Sequence, residues 1–200
     1  MGKKKRNKKK HSKRTFIERA EIEAIRAAVP WLEHPAARAA GLIGNVGDQP
    51  PLLALSGGVA AMGALRRDRR MLRAGVRMIA AHWLATAMKT QGKDHVDRSR
   101  PDALIEEDEY RMEKGGSDDP GLRSFPSGHT AGAVAVALAA AREYPRHRWA
   151  LYGAAGLVGA LQVPRQAHFP TDVIAGALLG LLAERLVDMA AGVFGEGSAD

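Results

Sequence analysis

Two histidines stand where apolar runs begin, and each has neighbours that suit an imidazole to phosphoryl chemistry. His168 is followed four residues later by Asp172. At a helix start that spacing brings the two side chains together across the first turn. A carboxylate on one ring nitrogen fixes the tautomer and leaves the other nitrogen free as a nucleophile. His129 closes the tetrad Pro126-Ser127-Gly128-His129. Serine is a favoured N-cap, glycine lets a ligand approach the backbone, and the free amides of a helix start bind anions. His129 beside them is placed to protonate a leaving oxygen. A third cluster, residues 93–101, carries Lys93 and Arg100. Lysine offers a point charge and arginine two parallel donors to a phosphate. Taken singly these are a structural His–Asp pair, a capped helix and a basic loop. Their convergence on one anion is what would make them a site.

Convergence requires elements that bring distant stretches together. Residues 49–65 form an uncharged run ending in the basic turn 66–73. Residues 74–88 follow, interrupted by Arg77 and His82, and residues 124–141 are uncharged apart from His129. A second basic turn, 142–148, leads into 149–164, and a last run, 171–183, gives way to Glu184, Arg185 and Asp188. Residues 31–46, weakly apolar and holding Arg38, are a sixth candidate. The expected fold is all-α: a multi-span membrane bundle of about six helices. The runs are shorter than the roughly 20 apolar residues a bilayer requires, which leaves a soluble helical bundle as the alternative. Their Gly and Ala content favours close helix approach in lipid, and Trp31, Tyr144 and Trp149 fall near run ends, as an interfacial belt would place them. If the basic turns are cytoplasmic, loops 91–125 and 164–171 both face outward, with six crossings and both termini inside. All three clusters then share one face. Residues 102–114 are expected to form an outer helix, followed by a flexible linker over 115–121. His82 reads as a packed or hydrogen-bonded core residue, and His11, His34, His95 and His147 have no evident partners.

The formal charge of +8 resides largely in a Lys/Arg-rich tail, so two regions are expected: a basic disordered tail over residues 1–15 and one domain over 16–200. Such a tail would sit against anionic lipid at on the order of 1 kcal/mol per basic residue; no nucleic-acid partner is expected. Residues 16–29, with Glu18, Arg19, Glu21, Glu23 and Arg26 among apolar positions, cannot be a secretory signal and read as an amphipathic surface helix. There are no cysteines, which excludes thiolate chemistry, disulfides and Cys-based zinc sites.

In order along the chain, Lys-x6-Arg-Pro at residues 93–101, Pro-Ser-Gly-His at 126–129 and His-x3-Asp at 168–172 resemble the three signature motifs of the type 2 phosphatidic acid phosphatases, relatives of bacterial acid phosphatases and vanadium haloperoxidases. The resemblance implies a membrane lipid phosphatase that needs no metal and no cofactor. His168 would attack phosphorus, Asp172 would orient it, and His129 would protonate the departing oxygen and later activate water. Lys93, Arg100, Ser127 and the Gly128 backbone would hold the equatorial oxygens. The implied substrate is a lipid phosphate or pyrophosphate at the outer face of a bacterial inner membrane. One departure stands out: the family's third motif carries Arg six residues before the nucleophile, where this chain has Gln162. Arg165 is the expected replacement. The alternatives are a vanadate-dependent oxidase on the same fold and a noncatalytic basic adaptor for membranes or nucleic acid.

Overall fold

The computed structural model describes residues 14–32, 35, 45–107 and 110–196. The Lys-rich tail ahead of Arg14 and most of the candidate span at 31–46 lie outside the described residues. Helix α1, Phe16–Leu32, starts at a capping box in which Thr15 N donates to Glu18 Oε2 (2.6 Å) and Glu18 N to Thr15 Oγ1 (3.2 Å). Helix α2 is Gln49–Leu65, entered through Pro50 and Pro51 in its first turn, where a missing N–H costs nothing. Helix α3, Arg69–Lys93, is capped by Asp68, whose carboxylate accepts from Arg70 N (2.9 Å) and Met71 N (3.0 Å). Strand β1, Val96–Arg98, and helix α4, Pro101–Glu107, precede strand β2, Met112–Lys114. Helices α5 (Gly128–Glu143), α6 (Arg148–Ala160) and α7 (Pro170–Glu196) complete the order.

Helices α3 and α5 form the centre: α3 packs against α2, α5 and α7, and α5 also packs against α6 and α7. The core between them is built from small side chains, with Ala81, Ala85, Ala131, Ala135, Ala139 and Ala183 buried around Leu52, Met78 and Val136. Backbones therefore approach closely, and dispersion between helix surfaces replaces the burial of large side chains. A Cβ on Gly75 would fall 2.3 Å from Ala60 N, and one on Gly63 would fall 2.3 Å from Leu72 N.

The charges that interrupt the apolar runs pair with one another at the bundle end away from Lys93. Arg77 reaches Asp188 (2.8 Å) and Glu143 (3.5 Å), and Arg142 binds both Glu184 and Asp188. These contacts clamp α3, α5 and α7 together.

Several expectations change. Residues 102–114 do not form one outer helix: α4 ends at Glu107, and β2 pairs antiparallel with β1 in the register Val96↔Lys114, Asp97↔Glu113, Arg98↔Met112. The glycine-rich stretch after it is tied down, with Ser117 N donating to Asp97 Oδ1 (2.9 Å) and Arg123 Nη1 to Ser117 O (3.0 Å). Among the described residues no helix is long and apolar enough to cross a membrane. Helices α2, α5 and α6 have 17, 16 and 13 residues, about 20–26 Å at 1.5 Å per residue. The longer α3 carries Arg77 and α7 carries Glu184, Arg185 and Asp188. Finally, α1 packs Ile22 and Ile25 onto Leu104, Tyr110 and Phe169. It thus lies at the same bundle end as the start of α2, not at the opposite end as six crossings with both termini together would require.

The close approach of α2 and α3 is testable by thermal unfolding. Gly75→Val is expected to cost about 1–3 kcal/mol or more through overpacking. Gly58→Ala, whose new Cβ meets nothing within 4 Å, should be neutral or stabilising by up to about 1 kcal/mol. Equal midpoints for the two variants would contradict the packing described.

Candidate active site

The site lies where one end of the bundle meets its connecting loops. The last turn of α3 presents Lys93, and the segment after β1 presents Arg100. The 124–127 turn caps α5, with Ser127 as N-cap accepting from Thr130 N (3.4 Å), and so sets His129 one residue inside the helix. The 161–169 loop delivers His168 just ahead of α7. Backbone bonds stitch these pieces together: Ser124 N donates to Arg98 O (3.1 Å) and Ser127 N to Asp172 O (3.0 Å).

A cavity of about 90 Å³ opens between them, lined by Gly47, Asp48, Gln49, His82, Lys89, Lys93, Arg100, Gly128, His129 and His168. The ring centroids of His129 and His168 are 6.0 Å apart with planes at 66°. Lys93 and Arg100 are steadied by carbonyls, Lys93 Nζ donating to Arg123 O (2.5 Å) and Arg100 Nε to Pro120 O (3.0 Å). His129 Nε2 lies 2.5 Å from Asp48 Oδ1. Each imidazole therefore has a carboxylate at hand.

Asp172 is fully buried. Its Oδ2 accepts from Ser124 Oγ (2.6 Å) and Phe169 N (2.8 Å), and its Oδ1 from Arg98 Nη1 (2.5 Å). His168 Nδ1 stands 3.8 Å from Oδ2, longer than a hydrogen bond. Asp172 is thus fixed by other partners and acts on His168 through charge and proximity. Burial, together with the positive charges of Lys93 and Arg100, holds the His168 imidazole below its ordinary pKa in spite of Asp172. A neutral ring with an available nitrogen is the form a nucleophile needs.

Arg98, only 1% exposed, joins the site to α1. Beyond Asp172 it donates to Thr171 Oγ1 (2.7 Å), Glu21 Oε2 (2.7 Å) and Tyr110 OH (3.2 Å), and its guanidinium lies 4.4 Å from the Phe169 ring centroid. Burial opposes its charge, but Asp172, then Tyr110 and Glu21, outweigh burial and raise its pKa. Glu21 also accepts from Thr171 N (2.7 Å) and Thr171 Oγ1 (2.9 Å), so a carboxylate from α1 caps the start of α7.

Of the residues singled out in the sequence, His129, His168, Lys93, Arg100 and Gly128 face the cavity, and Asp172 lies directly behind His168. Ser127 does not face it: it is buried, with its Oγ 3.0 Å from Thr130 Oγ1. Arg165 does not line the cavity either, and its Nη1 donates to Gln162 Oε1 (3.1 Å) while Gln162 Nε2 donates to Val158 O (2.8 Å). His82 is buried as expected and lines the cavity, and among the described residues neither of its ring nitrogens has a hydrogen-bond partner. Sequence reasoning passed over Asp48, Lys89, Arg98 and Glu21. Lys89 was findable, one helical turn before Lys93. The other three carry no local signal, since their partners lie far away in the chain. Among the described residues no three His, Asp or Glu side chains converge as a metal site would require.

Comparison with known proteins is consistent across three levels. The family model described as the PAP2 superfamily matches residues 71–188. Lipid A 1-phosphatase of Rhizobium etli is 35% identical over 88 residues, 44% of this chain and 38% of that protein. The protein of the same name from Rhizobium johnstonii is 35% identical over 88 residues, 36% of its length. The match thus spans well under half of these relatives. Among solved structures, LpxE of Aquifex aeolicus superposes with a TM-score of 0.60 over 83% of this chain and 91% of that one, at 24% identity, a likeness of fold. A transmembrane PAP2-type phosphatidylglycerolphosphate phosphatase from Bacillus subtilis superposes with a TM-score of 0.59 at 26% identity, covering 89% and 88%.

Replacing Arg98 by Met would strand two buried carboxylates, so unfolding free energy should fall by about 3–5 kcal/mol. Glu21→Gln, which leaves Arg98 on Asp172, should fall by less. A wild-type denaturation midpoint for Arg98→Met would show that the buried pair is not as described.

Proposed function

Because the chain belongs to the PAP2 superfamily, we propose that it is a lipid phosphatase working through a phosphohistidine. The observation that supports this most directly is the pair of imidazoles 6.0 Å apart across one cation-lined cavity. His168 attacks phosphorus of a lipid phosphate or pyrophosphate in line, a P–N bond forms as the P–O bond to the lipid breaks, and His129 protonates the departing oxygen. Lys93, Arg100 and the backbone at Gly128 hold the non-bridging oxygens as their charge redistributes. His129 then takes a proton from water, which attacks phosphorus, breaks the P–N bond and frees inorganic phosphate and His168. Asp172 serves throughout as the fixed negative charge behind the nucleophile.

The bundle is proposed to sit in a bacterial inner membrane. Support comes from large apolar side chains on outer helix faces, among them Trp83, Leu157, Ile174, Leu178 and Leu182, and from the Ala/Gly contacts between helices. With the basic turns 66–73 and 142–148 cytoplasmic, the cavity opens at the outer face, where a lipid headgroup reaches it while its chains remain among the apolar faces. Phosphatidate, phosphatidylglycerol phosphate, prenyl pyrophosphates and lipid A, the last after the names of the two relatives, are the substrates to compare.

With purified protein and this panel in detergent, His168→Asn is expected to abolish phosphate release. His129→Ala should lose about 100- to 10,000-fold, and EDTA should have no effect. A requirement for a divalent ion would overturn the mechanism. The acid limb of kcat/KM, which reports loss of the neutral nucleophile, should fall below pH 6.5, the ordinary imidazole value. A limb above that value would contradict the depressed His168.

A further inference from the structure

We infer that Lys89 is a substrate-phosphate ligand, the third cation of the site, standing in for the arginine that the third motif lacks. The inference rests on the phosphatase reading above. Lys89 lies one turn before Lys93 on the same face of α3, and its side chain lines the cavity together with Lys93, Arg100 and both histidines. It runs so close to the start of α5 that a Cβ on Gly128 would fall 2.8 Å from Lys89 Cδ and 3.0 Å from its Nζ. Glycine at 128 thus leaves the room the lysine occupies.

Partners separate Lys89 from its neighbours. Lys93 and Arg100 each donate to a backbone carbonyl, and Arg165 is engaged by Gln162. Among the described residues nothing accepts a hydrogen bond from Lys89, and no carboxylate lies within ion-pair distance of it. Lys89 is half-buried, and its side chain faces the cavity. A second observation points the same way. His82, two turns earlier on α3 and 2% exposed, lines the cavity with both ring nitrogens unpartnered. A deeply buried imidazole with unsatisfied ring nitrogens thus shares the cavity with Lys89.

Charge agrees with this placement. Lys89, Lys93 and Arg100 face one carboxylate, Asp48, across the cavity. Before either histidine is counted, the three cations and Asp48 leave two positive charges on the lining, matching a phosphomonoester dianion. Neither Gln162 nor Arg165 lines the cavity, although the Arg165 charge is felt at His129, and Lys89 reaches the cavity from α3.

Orthovanadate, an analogue of the transferred phosphoryl group, is the probe. Its dissociation constant is measured calorimetrically on the purified full chain, and its inhibition constant in the phosphate-release assay. Lys89→Met should weaken both by about 10- to 100-fold, the loss of one charge-assisted hydrogen bond. Lys89→Arg should stay within about fivefold of wild type, because it restores the charge. The thermal midpoint separates binding from folding, and Lys89→Gln carries the test if the Met variant unfolds. Unchanged orthovanadate affinity in a folded Lys89→Met protein overturns the inference. So does a loss in Lys89→Arg equal to that in Lys89→Met, which marks a packing role. If His168→Asn retains phosphate release, the phosphohistidine reading fails instead, and calorimetry still decides whether Lys89 binds the anion.

Discussion

A buried guanidinium shared by two buried carboxylates is the contact from which the rest of the site is organised. Arg98 binds Asp172 on one side and Glu21 on the other, all three withdrawn from water. Removing such charges from solvent is expensive and is offset only when every lone pair finds a donor. Here the donors are supplied: Ser124 and Phe169 for Asp172, Thr171 for Glu21. Their geometry fixes the turn before α5 and the start of α7 relative to each other, and so determines the separation of His129 and His168. Helix α1 enters the same network through Glu21, and through Glu18, which accepts from Tyr110 OH. An element that reads as a surface helix is thereby a structural wall of the site.

The polar network can exist because the bundle beneath it is packed by small residues. Alanine and glycine contacts along α2, α3, α5 and α7 leave little space for water and hold the helix ends in register. At the far end Arg77, Arg142, Glu143, Glu184 and Asp188 pair among themselves. Charges are therefore confined to the two ends, with an apolar middle between them. At the other end Lys89, Lys93 and Arg100 gather around the cavity.

That distribution suits phosphoryl transfer without reorganisation. Lys93 and Arg100, steadied by carbonyls, and the amides of a helix start are in place before any anion arrives, and they act in a site largely withdrawn from water, where electrostatic interactions are strong. Burial and the charges of Lys93 and Arg100 also hold the His168 pKa below its ordinary value, so the cations proposed to bind the anion favour the neutral form of the proposed nucleophile. Asp172, its charge balanced by Arg98, lies behind the ring, where the proposed mechanism needs a negative charge as nitrogen bonds to phosphorus.

Much of this was legible in the sequence because its signals are local. Apolar runs placed α2, α3, α5 and α6 within about five residues and the start of α7 within one, while α7 continues through its charged residues to Glu196. Serine before Gly-His marked a helix start, and the spacings Lys93 to Arg100 and His168 to Asp172 marked residues that share a face. What depended on non-local contacts was not legible. Ser127 reads as a phosphate ligand, yet the bond it makes with Thr130 turns its hydroxyl away. Arg165 reads as the missing arginine, yet Gln162 engages it. Residues 102–114 read as one helix, but the helix stops at Glu107 and β1 pairs with Met112–Lys114 as a strand. The roles of Asp48, Arg98 and Glu21 follow from partners up to 150 positions distant. By itself the sequence determined the helices, the motif residues and the kind of chemistry, since each depends on neighbours within a turn or two. Tertiary structure decided which charges face the cavity and which are neutralised behind it, because burial and pairing are properties of the packed chain.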